Sequence, residues 1–160
     1  MSETEKMIEF ESARFGKIEI PESDIIHAPE GIIGFPRVTR YALLDPSGGQ
    51  SLFLWLQAID EPKLAFIITD PMMFVPGYAI DRAEPDLDRI GVSEKHPPAL
   101  FAIVTVPPDN PDGITANLLA PLLFFEKDNL LYQIVVERAN WSIKEPLMRS
   151  EGSDKSGEAA

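Results

Sequence analysis

Two apolar runs separated by a short polar segment, Leu52–Ile59 and Leu64–Thr69, constrain the fold of this chain most strongly. Each run has the length of a strand, is rich in aromatic and branched side chains, and is bounded by turn-forming residues. The segment between them, residues 60–63, reads DEPK, so the pair predicts a β-hairpin. A single amphipathic helix is disfavoured, because Pro62 would break it and Phe66–Thr69 is poor in helix-forming residues.

The first strand of this hairpin is apolar on both faces. Leu52, Leu54 and Leu56 would point one way, and Phe53 and Trp55 on the other face are nearly as apolar. A strand of this kind lies inside a structure, either covered on both sides or closed into a barrel. The hairpin is therefore expected at the centre of the fold.

The rest of the chain is divided into many short elements. Fifteen prolines and ten glycines are scattered through 160 residues, which favours a β-rich fold over a helical bundle. The one good helix candidate is Ala83–Gly91, with Pro85 in its first turn and Gly91 at its end. We predict an all-β domain over residues 1–148, a small closed or nearly closed β-barrel that carries this short helix. Residues 149–160, RSEGSDKSGEAA, are expected to form a disordered tail.

Residues 29–36, PEGIIGFP, cannot form a regular helix or a central strand because of their prolines and glycines. The apolar residues Ile32, Ile33 and Phe35 indicate that this segment is nonetheless packed. We therefore predict a structured loop in which Gly31 and Gly34 adopt positive φ angles.

Acidic residues outnumber basic residues by 26 to 14, which gives a formal net charge of −12. Direct binding of nucleic acid needs a positive surface, so this chain is a poor candidate for it. An acidic surface suits a basic protein partner, in particular one whose usual ligand is a polyanion. Acidity that serves solubility alone is the competing explanation.

The chain contains no cysteine, which excludes disulfides and cysteine-ligated metals and fits a reducing compartment. Its N-terminus lacks a basic region followed by an apolar one, so no signal peptide is expected. No apolar run approaches the roughly 20 residues that a membrane-spanning helix requires. We expect a cytoplasmic protein that makes no contact with a membrane.

The residues suggest no catalytic or metal site. His27 and His96 stand far apart in the sequence, no serine lies in a nucleophile-elbow context, and no phosphate-binding glycine loop is present. We therefore expect no enzymatic activity and no cofactor. Trp55 and Gln57 leave one alternative open, a β-barrel that binds a small molecule or a carbohydrate, which would need a deep cavity with aromatic walls.

Two amide side chains within apolar segments need hydrogen-bond partners. Asn117 precedes two leucines and is expected to satisfy backbone groups at a kink in the chain. Gln133 lies in an apolar strand, and either Asn117 or backbone groups would be its partners.

Several segments, in their order and spacing, resemble the FliW family of flagellar assembly factors. They span roughly residues 7–140 and comprise Phe10-Glu11-Ser12, PEGIIGFP at 29–36, FLWLQAIDEPKLAFIITDP at 53–71, Tyr78, LFAIVTVP at 100–107, TANLLAPLLF at 115–124 and Gln133. No single segment is decisive, but the ordered set is specific. The resemblance implies a cytoplasmic, β-barrel-like protein without enzymatic activity.

The resemblance also implies two protein partners. Members of the FliW family bind flagellin near its C-terminal region, and they bind CsrA, a dimeric RNA-binding repressor of translation. Binding to CsrA relieves the repression of flagellin mRNA by an allosteric, noncompetitive effect, without occupation of the RNA groove. Because flagellin and CsrA compete for FliW, flagellin that has not been secreted reduces its own translation.

Six residues are predicted to contact a partner, on the family pattern and on their positions in loops and at strand ends. Around the first loop and the hairpin ends they are Glu11, Glu30, Phe35, Gln57 and Asp70, and the later segment contributes Asn117. A purely structural role, as a turn former or as a barrel-end residue, is an equal alternative for most of them.

Overall fold

The computed structural model describes residues 5–147, and the predicted tail, residues 149–160, lies outside this range. The described part is mostly β-structure, with one short α-helix and 3-10 turns at Glu22–Asp24 and Pro71–Met73. Its elements in chain order are β1 (Met7–Ser12), β2 (Gly16–Pro21), β3 (Ile26–His27), β4 (Arg40–Leu44), β5 (Phe53–Ala58), β6 (Ala65–Thr69), α1 (Pro85–Ile90), β7 (Ala99–Thr105), β8 (Thr115–Ala116), β9 (Leu122–Phe125), β10 (Leu130–Gln133) and β11 (Glu145–Pro146).

Seven of the strands close into a barrel. β9, β7, β6, β5, β4, β3 and β10 are neighbours in that order, and β10 pairs with β9 to complete the ring. Neighbouring strands are antiparallel except β3 and β10, which run parallel with Leu130 opposite His27. β8 and β11 extend the sheet from β7. The predicted all-β fold, a closed barrel with one short helix, is confirmed.

The barrel interior is filled by apolar side chains, which recur with a period of two along β5, β6, β7 and β9. Leu56, Ile68, Leu122 and Leu131 belong to this buried cluster. Ile32, from the loop that follows β3, enters the same cluster. The loop therefore closes one end of the barrel with its own side chain.

The outward faces of the barrel strands are covered as well, by three further apolar clusters. The β1–β2 hairpin covers one face with Phe10, which packs with Ile59. The segment after the Pro71–Met73 turn covers a second face through Tyr78, and α1 covers a third through Leu87. This burial on both sides explains why the hairpin strands lack a clean polar–apolar alternation.

The predicted hairpin is formed by β5 and β6, antiparallel with Trp55 opposite Ile67. Its turn is closed by backbone hydrogen bonds from Leu64 to Glu61, 3.0 Å, and from Ala58 to Leu64, 2.9 Å. β4 pairs with one side of this hairpin and β7 with the other. The hairpin therefore has no open edge, and its predicted central position is confirmed.

The predicted helix forms over Pro85–Ile90, within the expected range. Pro85 occupies the first turn, where its missing N–H costs nothing, and Gly91 ends the helix with a φ of 95°. The preceding Glu84 does not cap this helix with its side chain. Its buried carboxylate instead accepts hydrogen bonds from the backbone N–H groups of Glu137 and Arg138, at 2.8 and 2.7 Å. α1 is thereby fastened to the chain that follows β10.

Candidate partner-binding site

Three connecting segments meet at one end of the barrel, namely residues 28–39, 59–64 and 117–121. The first two are joined because Ile59 donates a backbone hydrogen bond to Arg40, 3.0 Å, next to the 2.8 Å bond from Ala28 to Thr39. The third is joined to the first through the side chain of Gln133 at the end of β10, which bonds to Ile33 and to Ala120. We call this end of the barrel the loop end.

Residues 29–36 form a tight, fixed loop at the loop end. Gly31 has a φ of 70°, and a Cβ atom on it would lie only 2.5 Å from the carbonyl oxygen of Phe35. Backbone hydrogen bonds from Gly31 to Ala28, 2.8 Å, and from Phe35 to Ile32, 2.6 Å, close two successive turns. Gly34 also has a positive φ, 95°. The predicted structured loop with two positive-φ glycines is present.

This loop presents apolar side chains to solvent. Ile32 is buried, but Ile33 is 61% exposed and Phe35 is 41% exposed. The prediction that Ile33 is packed is wrong, because the tight turn places Ile32 inside the barrel and turns the next side chain outward. Phe35 is held from below by an edge-to-face contact with Phe66, 5.8 Å between ring centroids. We call Ile33 and Phe35 the apolar tip.

Gln133 connects the apolar tip to the opposite wall of the loop end. Its Oε1 accepts a hydrogen bond from the backbone N–H of Ile33, 2.7 Å, and its Nε2 donates to the carbonyl of Ala120, 3.0 Å. Asn117 Oδ1 accepts from the backbone N–H groups of Leu119 and Ala120, at 3.1 and 3.0 Å. Asn117 thus satisfies backbone groups as predicted, and of the two partners considered for Gln133 the structure shows backbone.

Gln57 lies at the loop end but is fully buried. Its Oε1 accepts a hydrogen bond from the Ser12 hydroxyl, 2.8 Å, and its Nε2 donates to backbone carbonyls, including that of Ala58 at 3.0 Å. The Ser12 hydroxyl oxygen also accepts from the backbone N–H of Phe15, 3.0 Å. Gln57 therefore fastens the turn of the β1–β2 hairpin to the turn of the β5–β6 hairpin. It offers no surface to a partner in this conformation.

The same β1–β2 turn covers Trp55. The Arg14 guanidinium lies 4.5 Å from the centre of the Trp55 ring, and the Phe15 ring meets it edge-on at 5.5 Å. Together with the filled barrel interior, this packing leaves Trp55 as part of the scaffold. A surface recess of about 390 Å³ borders Trp55 and Gln57, but Trp55 is the one aromatic side chain in its lining. It is therefore not the deep cavity with aromatic walls that a small-molecule barrel would need.

Ion pairs hold the charged groups around the loop end. Glu30 pairs with Arg89 of α1, which also binds Asp86 at 3.1 Å. The Arg40 guanidinium donates two hydrogen bonds to the Asp60 carboxylate, of 2.9 and 2.7 Å. The hydrogen bonds from Arg40 lower the pKa of Asp60 and keep this carboxylate charged. Glu30 thus ties the loop to α1 while half of its side chain remains exposed.

The outer face of the β1–β2 hairpin is acidic. Glu9 and Glu19 face each other across the two strands, and Glu11 faces Lys17. Lys17 also approaches Glu9, with 3.9 Å between Nζ and Oε2. Like charges directly opposite each other destabilise a sheet slightly. This face keeps a negative charge, and Glu11 is exposed on it next to the loop end.

The structure brings together five of the six predicted contact residues. Glu11, Glu30, Phe35 and Asn117 surround the loop end, with Gln57 buried beneath them. Asp70 lies at the opposite end of the barrel, because β6 runs away from the loop end before reaching it. There Asp70 accepts a hydrogen bond from the backbone N–H of Met72, 2.9 Å, and caps the Pro71–Met73 turn. Whether any of these residues touches a partner stays a prediction.

Sequence reasoning missed the exposure of Ile33 as a feature of this site. A signal was present, because Ile33 is followed directly by Gly34, a glycine that marks a turn, and connecting segments run over the protein surface. Over residues 5–147 the structure shows no cluster of three or more side chains suited to holding a metal ion. In the same range no helix is long and apolar enough to cross a membrane.

A sequence model of the FliW protein family matches residues 9–147. The chain belongs to the FliW family. The FliW resemblance noted in the sequence is thereby confirmed, and membership places the chain among the flagellar assembly factors. It is 35% identical to the flagellar assembly factor FliW of Treponema denticola over 141 residues, which are 88% of this chain and 94% of that protein.

Other FliW proteins agree with this assignment. The flagellar assembly factor FliW of Heliobacterium modesticaldum is 36% identical over 143 residues, 89% of this chain and 92% of that one. A crystal structure of the flagellar assembly factor FliW matches with a TM-score of 0.79 and 30% identity, covering 90% of this chain and 99% of the crystallised one. The similarity therefore extends over the whole barrel, the loop end and α1.

Proposed function

We propose that this chain is a cytoplasmic regulator of flagellin synthesis with two protein partners. It binds the translational regulator CsrA and relieves its repression of flagellin mRNA, and it binds the C-terminal region of flagellin. Because the two partners compete, accumulated flagellin occupies the chain, leaves CsrA active and slows further translation. Membership in a family of flagellar assembly factors supports this proposal.

The observation that carries the proposal is the fixed apolar tip at the loop end. Ile33 and Phe35 are exposed at 61% and 41%, in a loop that Gly31 and Gln133 hold in one conformation. Binding energy at protein interfaces is concentrated in a few anchor residues, often aromatic ones, that fill pockets of the partner. Anchors that are already ordered lose little conformational entropy on binding. The tip therefore suits a protein partner better than it suits any catalytic role.

Charge supports CsrA as one of these partners. With a net charge of −12 the chain repels RNA and attracts a basic, RNA-binding surface. The acidic face that includes Glu9, Glu11 and Glu19 lies beside the loop end. When a partner is bound there, the acidic side chains of this chain lie close to the RNA-binding site of the partner. RNA would then be released by repulsion even though its groove stays open.

The predicted contact residues take different roles in this proposal. Glu11, Glu30 and Phe35 contact the partner directly, and Asn117 shapes the wall of the loop end that the partner meets. Gln57 does not touch the partner but supports the site from inside the protein, because its hydrogen bond with Ser12 fixes the turn of the β1–β2 hairpin. Asp70, at the far end of the barrel, would contact only a partner that reaches past the barrel wall.

An RNA-release assay tests the CsrA part of the proposal. Purified CsrA is bound to labelled flagellin leader RNA, and the chain is titrated in. We expect the wild-type chain to release the RNA and Ile33→Asp to require about tenfold more protein, since one buried apolar anchor is worth at least about 1.4 kcal/mol. Met73→Asp is the matched control, because Met73 is 59% exposed at the opposite end of the barrel.

Two results would contradict the proposal. Unchanged RNA binding at saturating wild-type protein would remove the antagonist role, and equal effects of Ile33→Asp and Met73→Asp would remove the loop end as the site. The charge contribution is tested separately by raising the salt concentration, which should weaken the release. Flagellin binding is measured by titration with its C-terminal region, and added flagellin should restore RNA binding to CsrA.

A further inference from the structure

A second candidate surface lies on the outside of the barrel, away from the apolar tip. It is a groove of about 550 Å³ between the segment of residues 72–82, helix α1 and the segment of residues 92–98. Leu100 of β7 and Leu123 of β9 form part of its lining. None of the predicted contact residues lines this groove, and sequence reasoning gave no sign of it.

The groove has apolar walls and a charged rim. Ile80, Val92 and Leu100 line it and are each half-buried, so part of their apolar surface faces the empty space. Met72 stands at its margin and is 50% exposed. Methionine side chains are flexible and polarizable, which suits them to surfaces that accept an apolar partner. A concave recess with apolar walls and a few polar groups is the usual form of a binding site.

The rim carries more negative than positive charge. Asp88 and Glu94 line the groove together with one cation, Arg82, which lies 3.8 Å from Glu94. Asp88 is exposed and forms no ion pair with any residue in the range 5–147. The surrounding chain adds to this field, since its net charge is −12. A segment that bears lysine or arginine beside its apolar residues is therefore favoured.

The walls of the groove are fixed before anything binds. The Tyr78 hydroxyl donates a hydrogen bond to the carbonyl of Leu118, 2.8 Å, which anchors one wall to the barrel. The other wall is α1, which Gly91 ends and which Glu84 fastens through two backbone hydrogen bonds. A preformed groove needs little reorganisation to accept a ligand.

The backbone around the groove decides which form of peptide can enter. Leu100 and Leu123 are directly opposite each other in the paired strands β7 and β9, so this part of the sheet has no open edge. A peptide cannot add there as an extra strand, whereas a helix that buries one apolar face needs no backbone partners from the groove. The charged groups lie on exposed residues of the rim instead of converging on the floor, which disfavours a small polar molecule.

We propose that this groove binds an amphipathic helix of a partner protein, with apolar side chains on one face and basic residues beside them. Two or three apolar side chains, spaced three and four residues apart, would enter between α1 and Tyr78. The basic residues would meet Asp88 and Glu94 at the rim. This inference goes beyond the proposed function, because it concerns a separate surface and does not require CsrA or flagellin.

A labelled synthetic peptide tests the inference with the full chain. The probe is a helical peptide of about 18 residues, five turns long, with leucines on one face and lysines on both sides of that face. Its control has the same composition with the leucines scrambled around the helix. Fluorescence anisotropy should show saturable binding of the probe and at least about tenfold weaker binding of the scrambled peptide.

Variants of the chain then locate the binding. Met72→Glu should weaken probe binding about tenfold, whereas Met73→Glu should change it less than twofold, because Met73 is at least as exposed as Met72 but does not line the groove. Asp88→Lys should weaken binding mainly at low salt. Urea midpoints of all variants are measured alongside, so that a loss of folding is recognised.

The inference is overturned if the wild-type chain does not bind the probe or binds the scrambled peptide equally well. Equal losses for Met72→Glu and Met73→Glu would also overturn it. Ile33→Asp, which alters only the apolar tip, serves as the separating control. A loss of probe binding in that variant would assign the peptide to the loop end and reject the groove, whatever the outcome of the RNA-release assay.

Discussion

The conformation of the 29–36 loop can be tested by adding a single methyl group at Gly31. In Gly31→Ala the new Cβ would lie 2.5 Å from the Phe35 carbonyl oxygen and 2.6 Å from Pro36 Cα. Both are backbone atoms and cannot move aside without displacing the apolar tip. Gly34→Ala is the matched control, because Gly34 also has a positive φ but nothing lies within 4 Å of its added Cβ.

The expected magnitudes separate backbone strain from steric overlap. An L-residue at positive φ costs about 1 to 2 kcal/mol, and both variants share this term at 70° and 95°. Overpacking adds about 1 to 3 kcal/mol, at Gly31 alone. Because alanine reduces the flexibility of the unfolded chain, it also stabilises each variant by about 0.4 to 1 kcal/mol. We therefore expect Gly31→Ala to be less stable than Gly34→Ala by about 1 to 3 kcal/mol.

Urea unfolding, followed by circular dichroism and extrapolated to water, measures the difference. The slope with urea concentration should match that of the wild type, so that the midpoints report stability alone. Gly31→Ala should also impair RNA release from CsrA more than Gly34→Ala, because it moves the tip. Equal stabilities within about 0.5 kcal/mol would refute the argument that the Phe35 carbonyl contact fixes the loop.

Two further predictions concern buried polar groups. Gln57→Ala should lower the free energy of unfolding by about 2 to 4 kcal/mol, because it leaves the Ser12 hydroxyl and backbone carbonyls without their partner. A double-mutant cycle with Ser12→Ala, measured by urea unfolding, should give a coupling energy of about 0.5 to 3 kcal/mol. Additive losses of stability would contradict the link between the two hairpins. Tyr41→Phe should leave stability at neutral pH unchanged or raise it by about 1 kcal/mol, because the Tyr41 hydroxyl has no hydrogen-bond partner among the described residues. Tyr78→Phe, its matched control, should cost about 1 kcal/mol by removing the bond to the Leu118 carbonyl. A comparable loss in both tyrosine variants would show that the Tyr41 hydroxyl is satisfied.

The tyrosines also predict an alkaline loss of stability. Burial raises the pKa of Tyr41 from 10.0 to about 12 and raises the pKa of Tyr78 as well. Above pH 10 the unfolded chain releases protons that the folded protein keeps. The contribution of Tyr41 is therefore complete below pH 10 and is lost between pH 10 and 12, whereas that of Tyr78 continues to fall above this range. The slope is about 1.4 kcal/mol per pH unit for each group. In urea unfolding measured across this pH range, Tyr41→Phe should remove close to half of the total slope of stability against pH. An unchanged slope would contradict the conclusion that burial raises the pKa of Tyr41.

The sequence by itself determined the elements whose signals are local. The turn between β5 and β6 follows from Pro62 and its neighbours, and the ends of α1 follow from Pro85 and Gly91, because φ restrictions and missing N–H groups act within a few residues. The positive φ of Gly31 was likewise predictable from its neighbours. The barrel was predictable as a class, since strands that are apolar on both faces require cover on both sides.

Only the tertiary structure decided which side chains remain at the surface. Gln57 was predicted to contact a partner, yet the β1–β2 hairpin folds over it and uses its amide, a contact across 45 residues that no local pattern encodes. Ile33 was predicted to be packed and is exposed, because one tight turn separates it from the buried Ile32. The groove beside Met72 arises where α1 docks on β7 and β9. Burial depends on the sum of contacts between distant segments, so the sequence specifies it only through the completed fold.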